Sequence, residues 1–266
     1  MGLGVIGGGV MGEALISRLI EQAIYAPHDI LVSDPQPERL AHLRDRYSIR
    51  GTSSNIAVMD ANAVLLAVKP QVFDAVASEL SVAQPQSPAP LIISILAGTP
   101  LERLEEAFSG CPVVRAMPNT PATVGAGITA IAPGAQAEAE HLDAAERLFS
   151  AVGEVVRVPE SLLDAVTGLS GSGPGYVAVI VEALADGGVA AGLPRAVALQ
   201  LAIQTVRGTG ELLATGDLHP AQLKDRVTSP GGTTIAGVAA LERAGLRSAL
   251  IEAVNAAFRR SRELGS

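Results

Sequence analysis

At 266 residues, with 48% hydrophobic, 17% charged and 3% aromatic side chains, the chain has the make-up of a soluble Ala-, Val- and Leu-rich globular protein. It is long enough for two domains, since single cores stop growing near about 250–300 residues. A formal charge of -8 without a concentrated basic face excludes a protein that tracks nucleic-acid phosphates, and the single cysteine, Cys111, excludes an intrachain disulfide and points to a reducing compartment.

From residue 1 to about 160, short β-rich runs alternate with helical ones, the signature of a mostly parallel sheet. The spacing predicts strands at Leu3–Ile6, Ile30–Ser33, Ala63–Val68, Leu91–Leu96, Val113–Met117, Ile128–Ala132 and Glu154–Val158. Helices are expected at Met11–Ala23, Pro37–Tyr47, Phe73–Leu80, Leu101–Ala107 and Ala137–Ala151, and the Pro/Ser/Gln stretch Ala83–Pro90 reads as a surface loop. Beyond Pro159 the strand signal stops. Helices are expected at Ser161–Leu169, Pro174–Ala191, Arg195–Thr215, Ala221–Val227, Thr234–Ala244 and Gly245–Leu264. The fold class is therefore α/β: a domain with a mostly parallel sheet over residues 1–159, followed by an all-helical domain over residues 160–266. Within Arg195–Thr215 the apolar residues occupy more than one face, which suggests burial against another helix layer or another subunit. The N-terminus lacks a basic region followed by a long apolar run. The most apolar helical stretch, Tyr176 to Val189, carries Glu182 and Asp186 and is shorter than the ~20 residues of a bilayer span. A cytoplasmic protein with no membrane contact is expected.

The first strand runs directly into G-x-G-x-x-G at Gly7, Gly9 and Gly12. In a strand–turn–helix the first glycine permits the turn, the second lets backbone approach a pyrophosphate, and the third allows close helix–strand packing, with the helix N-terminus facing the anion. Asp34, after the second strand, can accept from a ribose hydroxyl and would repel a 2′-phosphate, favouring NADH, while Ser33 and Arg39 offer a hydroxyl and a guanidinium to that phosphate. Both cofactors stay open at this point, NADP(H) first and NAD(H) beside it. Ala67-Val-Lys-Pro70, Ser94-Ile-Leu-Ala-Gly98 and Arg115-Ala-Met-Pro-Asn-Thr-Pro121 each end an apolar strand on what would be one edge of the sheet, where ligands bind in open α/β folds.

In the helical half, Gly168-Leu-Ser-Gly-Ser-Gly-Pro-Gly-Tyr176 reads as a small-residue turn, with Pro174 suited to the start of the next helix. The segment Leu223 through Ile235 places Ser229, Gly231, Gly232, Thr233 and Thr234 at a helix start, where successive N–H groups and hydroxyls can hold a carboxylate. His28, His42, His141 and His219 are scattered without metal-ligand spacing, and no serine or cysteine sits in a nucleophile motif, so a metal-free, non-covalent reaction is expected. His219 before Pro220 reads as a loop histidine satisfied by backbone, and Cys111 as a small buried hydrophobe.

These motifs together resemble pyrroline-5-carboxylate reductase, the last enzyme of proline biosynthesis. The resemblance rests on Gly4 through Gly12, Ala67 through Pro70, Arg115 through Pro121, Ser170-Gly-Ser-Gly-Pro174, Glu182-Ala-Leu-Ala-Asp186, Gly192-Leu-Pro194 and Leu223 through Gly237, and it runs the whole length. It implies hydride transfer from NAD(P)H to the C=N carbon of 1-pyrroline-5-carboxylate, giving L-proline. It also implies an N-terminal Rossmann-like dinucleotide-binding domain, residues 1–159, and a helical dimerisation and substrate domain, residues 160–266, that interlocks with its partner's, so that a homo-oligomer is built from intertwined dimers with the active site at the dimer interface. By matched motif, Ile6, Gly7, Gly8, Gly9, Val10, Met11, Asn55, Ala67, Val68, Lys69, Pro70 and Ala97 would contact cofactor, and Thr233 and Thr234 substrate.

An imine accepts hydride readily once its nitrogen is protonated or strongly hydrogen-bonded, so the protein mainly needs proximity, orientation and one donor. Thr234 is the candidate donor, orienting the nitrogen or relaying a proton from water. Two departures from the family pattern stand out: Ser33-Asp34-Pro35 where NADPH-preferring members carry a basic or Asn-type residue, and Gly175 where alanine is common. A β-hydroxyacid dehydrogenase shares the plan but needs a lysine on the helix that here runs Gly175 to Val181 without one. A non-catalytic dinucleotide sensor would not need the hydroxyls from Thr228 to Thr234.

Overall fold

The computed structural model describes residues 2–80, 88–216 and 218–265. Of the loop expected at Ala83–Pro90, residues 83–87 lie outside the described residues. The chain forms two compact units, Met1–Ser172 with Ala257–Ser266, and Gly173–Ala256.

The first unit alternates strand and helix: β1 (Leu3–Ile6), α1 (Val10–Glu21), β2 (Ile30–Ser33), α2 (Pro37–Tyr47), β3 (Arg50–Thr52), β4 (Ala63–Leu66), α3 (Phe73–Leu80), β5 (Leu91–Ser94), α4 (Leu101–Ala107), β6 (Val113–Met117), β7 (Gly127–Pro133), α5 (Ala139–Ser150) and β8 (Gly153–Arg157). The strands make one eight-stranded sheet in the order β3-β2-β1-β4-β5-β6-β7-β8. All neighbours are parallel except β6 and β7. Parallel crossovers lay helices on both faces, so these strands read as continuous apolar runs. Alternation along β4 shows the consequence: Ala63 and Leu65 join the core under α1 and α2 with Leu15, Leu19 and Leu43. Val64 and Leu66 join the opposite core with Phe73, Val76 and Leu104. Strand order reverses between β1 and β4, and ligands of such sheets bind at the carboxyl ends beside that reversal.

Three readings of the sequence need correction. β3 has no predicted counterpart: its Arg-Gly-Thr carries no large apolar side chain, and it is held to β2 by backbone pairing at the sheet edge. The strands predicted to reach Val68 and Leu96 stop at Leu66 and Ser94, leaving Ala67–Pro70 and Ile95–Gly98 as loops beyond the sheet edge. The turn expected at Gly168–Tyr176 is instead helical: α6 (Leu163–Val166) passes through a π-turn at Thr167–Gly171 into α7, which starts at Gly173. The glycines do not break the run, because Val166, Thr167 and Ser172 beside the turn all hold right-handed helical angles.

The second unit is helical, with α7 (Gly173–Ala190), α8 (Arg195–Thr215), α9 (Pro220–Arg226), α10 (Thr233–Arg243) and the start of α11 (Leu246–Gly265). α7 and α8 meet through small side chains, burying Ala185, Ala198 and Ala202. Large apolar side chains nonetheless stay exposed on both, among them Val179, Leu184, Leu201 and Ile203. Among the described residues no helix is long and apolar enough to cross a membrane.

Candidate active site

The loop between β1 and α1 is built by its glycines. Gly7 holds a positive φ of 101° and donates its N–H to the Ser33 carbonyl at 2.8 Å. A β-carbon on Gly12 would stand 2.4 Å from the Gly7 carbonyl oxygen, so close helix–strand packing excludes any side chain there. At Gly9 a β-carbon would meet nothing within 4 Å. Protein packing therefore does not demand glycine at that position, whereas a ligand approaching the backbone does. Gly9 is also the N-cap of α1 and supplies no capping side chain, which leaves the first-turn N–H groups for an anion. A dinucleotide pyrophosphate fits this cradle.

Asp34 follows β2 and ties the loop to its surroundings: its Oδ2 accepts from the Gly8 N–H and its Oδ1 from the Gln36 N–H, both at 2.9 Å. Ser33, fully buried at the end of β2, donates its hydroxyl to Asn55 Oδ1 at 2.6 Å. Arg39 reaches from α2 to the glycine loop and to α1. Its guanidinium donates to the Gly8 carbonyl and to Glu13, on α1. Glu13 also accepts from the Tyr47 hydroxyl at 2.9 Å and meets His42 at 3.1 Å. Burial alone would raise the Glu13 carboxyl, but the hydrogen bonds from Arg39, His42 and Tyr47 outweigh it and hold the group below its ordinary range.

Around these groups lies a cleft of about 500 Å³. It gathers Ile6, Gly7, Gly9, Ser33, Asp34, Asn55, Ala67, Val68 and Lys69 from the residues the sequence singled out. Gly8, Val10, Met11, Gly12, Pro70 and Ala97 do not line it. Gly8 and Gly12 shape the loop behind it, Met11 packs on the core, Val10 stands exposed at the start of α1, and Ala97 is exposed in the turn after β5. The cleft also has walls that the sequence did not announce: Gln36, Ser53, Val72, Ala75, Val76 and Glu79. Most come from α3 and the turn before it, whose apolar spacing reads as core packing and carries no ligand motif.

Past the cleft, Asn119 links the end of β6 to the π-turn, accepting from the Ile128 N–H at 3.0 Å and donating to the Ser170 carbonyl at 3.1 Å. Arg115, buried on β6, pairs with Glu160 at 2.8 Å, and the same carboxylate oxygen accepts from the Leu101 N–H. Burial raises the Cys111 thiol, consistent with a cysteine that packs rather than reacts.

In the second unit, α9 ends at Arg226 and α10 begins at Thr233, with Gly232 as N-cap and Gly231 at a φ of 70°. The Gly232 N–H donates to the Ser229 carbonyl at 3.0 Å, which brings Ser229 back beside the helix start. The α10 N-cap makes no side-chain bond, and Thr233 and Thr234 are exposed on the first turn. Ser229, Gly231, Gly232, Thr233 and Thr234 thus form one hydroxyl-lined helix terminus suited to a carboxylate. His219 caps α9, its Nδ1 accepting from the Ala221 N–H at 3.2 Å.

Known proteins resemble this chain in sequence and in fold. Residues 160–264 match the family described as pyrroline-5-carboxylate reductase dimerisation, and residues 2–98 match one described as NADP oxidoreductase, coenzyme F420-dependent. A pyrroline-5-carboxylate reductase of Synechocystis sp. is 58% identical over 264 residues, covering 99% of this chain and 98% of that protein. Among solved structures, a Coxiella burnetii pyrroline-5-carboxylate reductase aligns with a TM-score of 0.92 at 33% identity, covering 99% of this chain and 98% of that one. A Plasmodium falciparum pyrroline carboxylate reductase with NADP bound aligns at 0.88 and 30% identity, covering 100% and 98%. With a relative of such identity matched almost end to end, the chain belongs to the pyrroline-5-carboxylate reductase family.

Proposed function

We propose that this protein reduces 1-pyrroline-5-carboxylate to L-proline with hydride from NADPH or NADH, the last step of proline biosynthesis. The observation that carries the reading is full-length family membership, in a chain that has both a dinucleotide cleft and a hydroxyl-lined helix terminus. The relative with NADP bound supports NADP(H) as cofactor, with NAD(H) as the alternative.

Ile6, Gly7 and Gly9, with the first-turn N–H groups of α1 and with Ser33, Asp34 and Asn55, would hold the pyrophosphate and adenosine ribose. Ala67, Val68 and Lys69 would line the nicotinamide half, with Pro70 and Ala97 in the turns that flank it. When bound, the reduced nicotinamide supplies the hydride that the C=N carbon accepts. Ser229, Gly231, Gly232 and Thr233 hold the substrate carboxylate against the N-terminus of α10, which fixes the ring face that is presented. Thr234 hydrogen-bonds the ring nitrogen and relays its proton from water, since a threonine hydroxyl is too weak an acid to act alone.

The functional division falls at residues 1–159 for dinucleotide binding and 160–266 for dimerisation and substrate, in keeping with the matched dimerisation family. The exposed apolar faces of α7 and α8 are covered by a second copy of the chain, in intertwined dimers. A small cyclic imine, rather than nucleic acid or membrane, is the partner, and the cytoplasm is the compartment. The test follows NADPH and NADH absorbance as purified protein meets racemic 1-pyrroline-5-carboxylate. Cofactor oxidation with equimolar L-proline is expected, and no turnover with either cofactor would overturn the reading.

A further inference from the structure

Glu79, near the end of α3, directs its carboxylate at Asn55: Oε1 accepts from the Asn55 backbone N–H at 3.1 Å and Oε2 from Asn55 Nδ2 at 2.6 Å. The other end of the same amide, Oδ1, accepts from the buried Ser33 hydroxyl at 2.6 Å. Of the two ends of the Asn55 side-chain amide only the NH₂ can donate to a carboxylate, so this relay sets which way the amide is turned. Glu79, Asn55, Ser33 and Asp34 all line that cleft at the carboxyl end of β2, where a dinucleotide places its adenosine ribose. Two acids therefore stand at this end. Arg39 is engaged by Glu13 and the Gly8 carbonyl, and Lys69 lies after β4, two strands along the sheet from β2.

We propose that Glu79 is a specificity-determining residue for the cofactor: it lowers the affinity for the 2′-phosphate of NADPH relative to the bare 2′-hydroxyl of NADH, by its own charge and by holding Asn55. The proposal rests on the dinucleotide-reductase reading above. A ribose 2′-phosphate adds a charge near -2, and a carboxylate on the same wall repels it, whereas NADH carries no charge there. Glu79 is exposed, so the repulsion acts largely through water and is modest.

The experiment measures kcat/KM for NADPH and for NADH in wild type, Glu79→Gln and Glu79→Ala, together with dissociation constants for NADP⁺ and NAD⁺ without substrate. Glutamine keeps an acceptor for Asn55 and removes the charge, so the NADPH to NADH ratio is expected to rise roughly three- to tenfold. That gain should shrink in about 0.5 M KCl, as a charge effect must and a purely structural one need not. Alanine should move the ratio the same way and also weaken both cofactors, because Asn55 loses its anchor. An unchanged ratio in Glu79→Gln, or an equal change for both cofactors, overturns the proposal. Wild type that binds the cofactors but does not turn over overturns the reductase reading alone, and the binding ratio still decides the role of Glu79.

Discussion

A β-carbon at Gly12 would strike the Gly7 carbonyl oxygen, whereas one at Gly9 would meet no protein atom, so the two glycines answer to different neighbours. Gly12→Ala is expected to cost about 1–3 kcal/mol by overpacking the α1–β1 contact, read by urea denaturation. Gly9→Ala should change stability by less than about 1 kcal/mol while weakening cofactor binding about tenfold or more, read by fluorescence titration with NADH. Loss of stability in the second variant with binding intact would reverse the assignment. Thr234 carries the matching prediction for substrate. If its hydroxyl serves the ring nitrogen as proposed, Thr234→Ala should lower kcat/KM for 1-pyrroline-5-carboxylate about a hundredfold, and the dissociation constant for cofactor should stay put. Full turnover in that variant would remove Thr234 from the mechanism. The glycine spacing was legible in the sequence, because a turn that must adopt positive φ and admit a helix leaves few other residues. Glu79 was not legible: it lies 24 positions from Asn55, and only the packing of α3 brings the two together.

Helices α1 and α2 are joined by a polar clamp rather than by core packing alone. Glu13 on α1 receives Arg39, His42 and Tyr47 from α2, and its side chain is only 19% exposed. Its carboxyl is held below the ordinary range in the folded protein, so protonation favours the unfolded chain. The stability it contributes is present in full above the unfolded value of about 4.3 and is lost as pH falls through the lower folded value. Glu13→Gln is expected to cost about 1–2 kcal/mol at pH 7, with the gap from wild type closing below about pH 4.3 in denaturation curves taken across pH. A gap that widens on acidification would contradict the clamp. α2 itself was readable from its proline start and apolar spacing. Its charged face was ambiguous, because spacing along the sequence does not show that Arg39 meets Glu13. The π-turn at Thr167–Gly171 escaped notice for a related reason: Gly and Ser predict a break, and tertiary contacts such as Asn119 to Ser170 favour continuing the helix.

Among the described residues, α7 and α8 leave large apolar side chains exposed. α8 leaves Val197, Leu199, Leu201 and Ile203 open, two stripes at i,i+4 spacing that a single neighbouring helix does not cover. A charge placed there would be desolvated on association, so Leu201→Glu with Ile203→Glu should shift the protein toward the 27.1 kDa monomer in size-exclusion chromatography with light scattering. If the dimer requires these faces and the active site requires the dimer, reductase activity falls in step with mass. A double variant that keeps both its oligomeric mass and its activity would place the dimer contact elsewhere.

What could be read directly from the residues were the properties set by local chemistry and period: the alternation of strand and helix, the glycine turn, the helical second half and the hydroxyl-rich start of α10. Apolar spacing of two or 3.6 and residues with restricted backbone angles leave their mark within a dozen positions. The sheet order, the edge strand β3, the Ser33–Asn55–Glu79 relay and the capture of Arg39 by Glu13 were decided only in three dimensions. Each joins groups about 20 or more residues apart, or relies on backbone pairing that side chains do not encode. Such contacts are selected by how layers pack, and packing is a property of the assembled core rather than of any one segment.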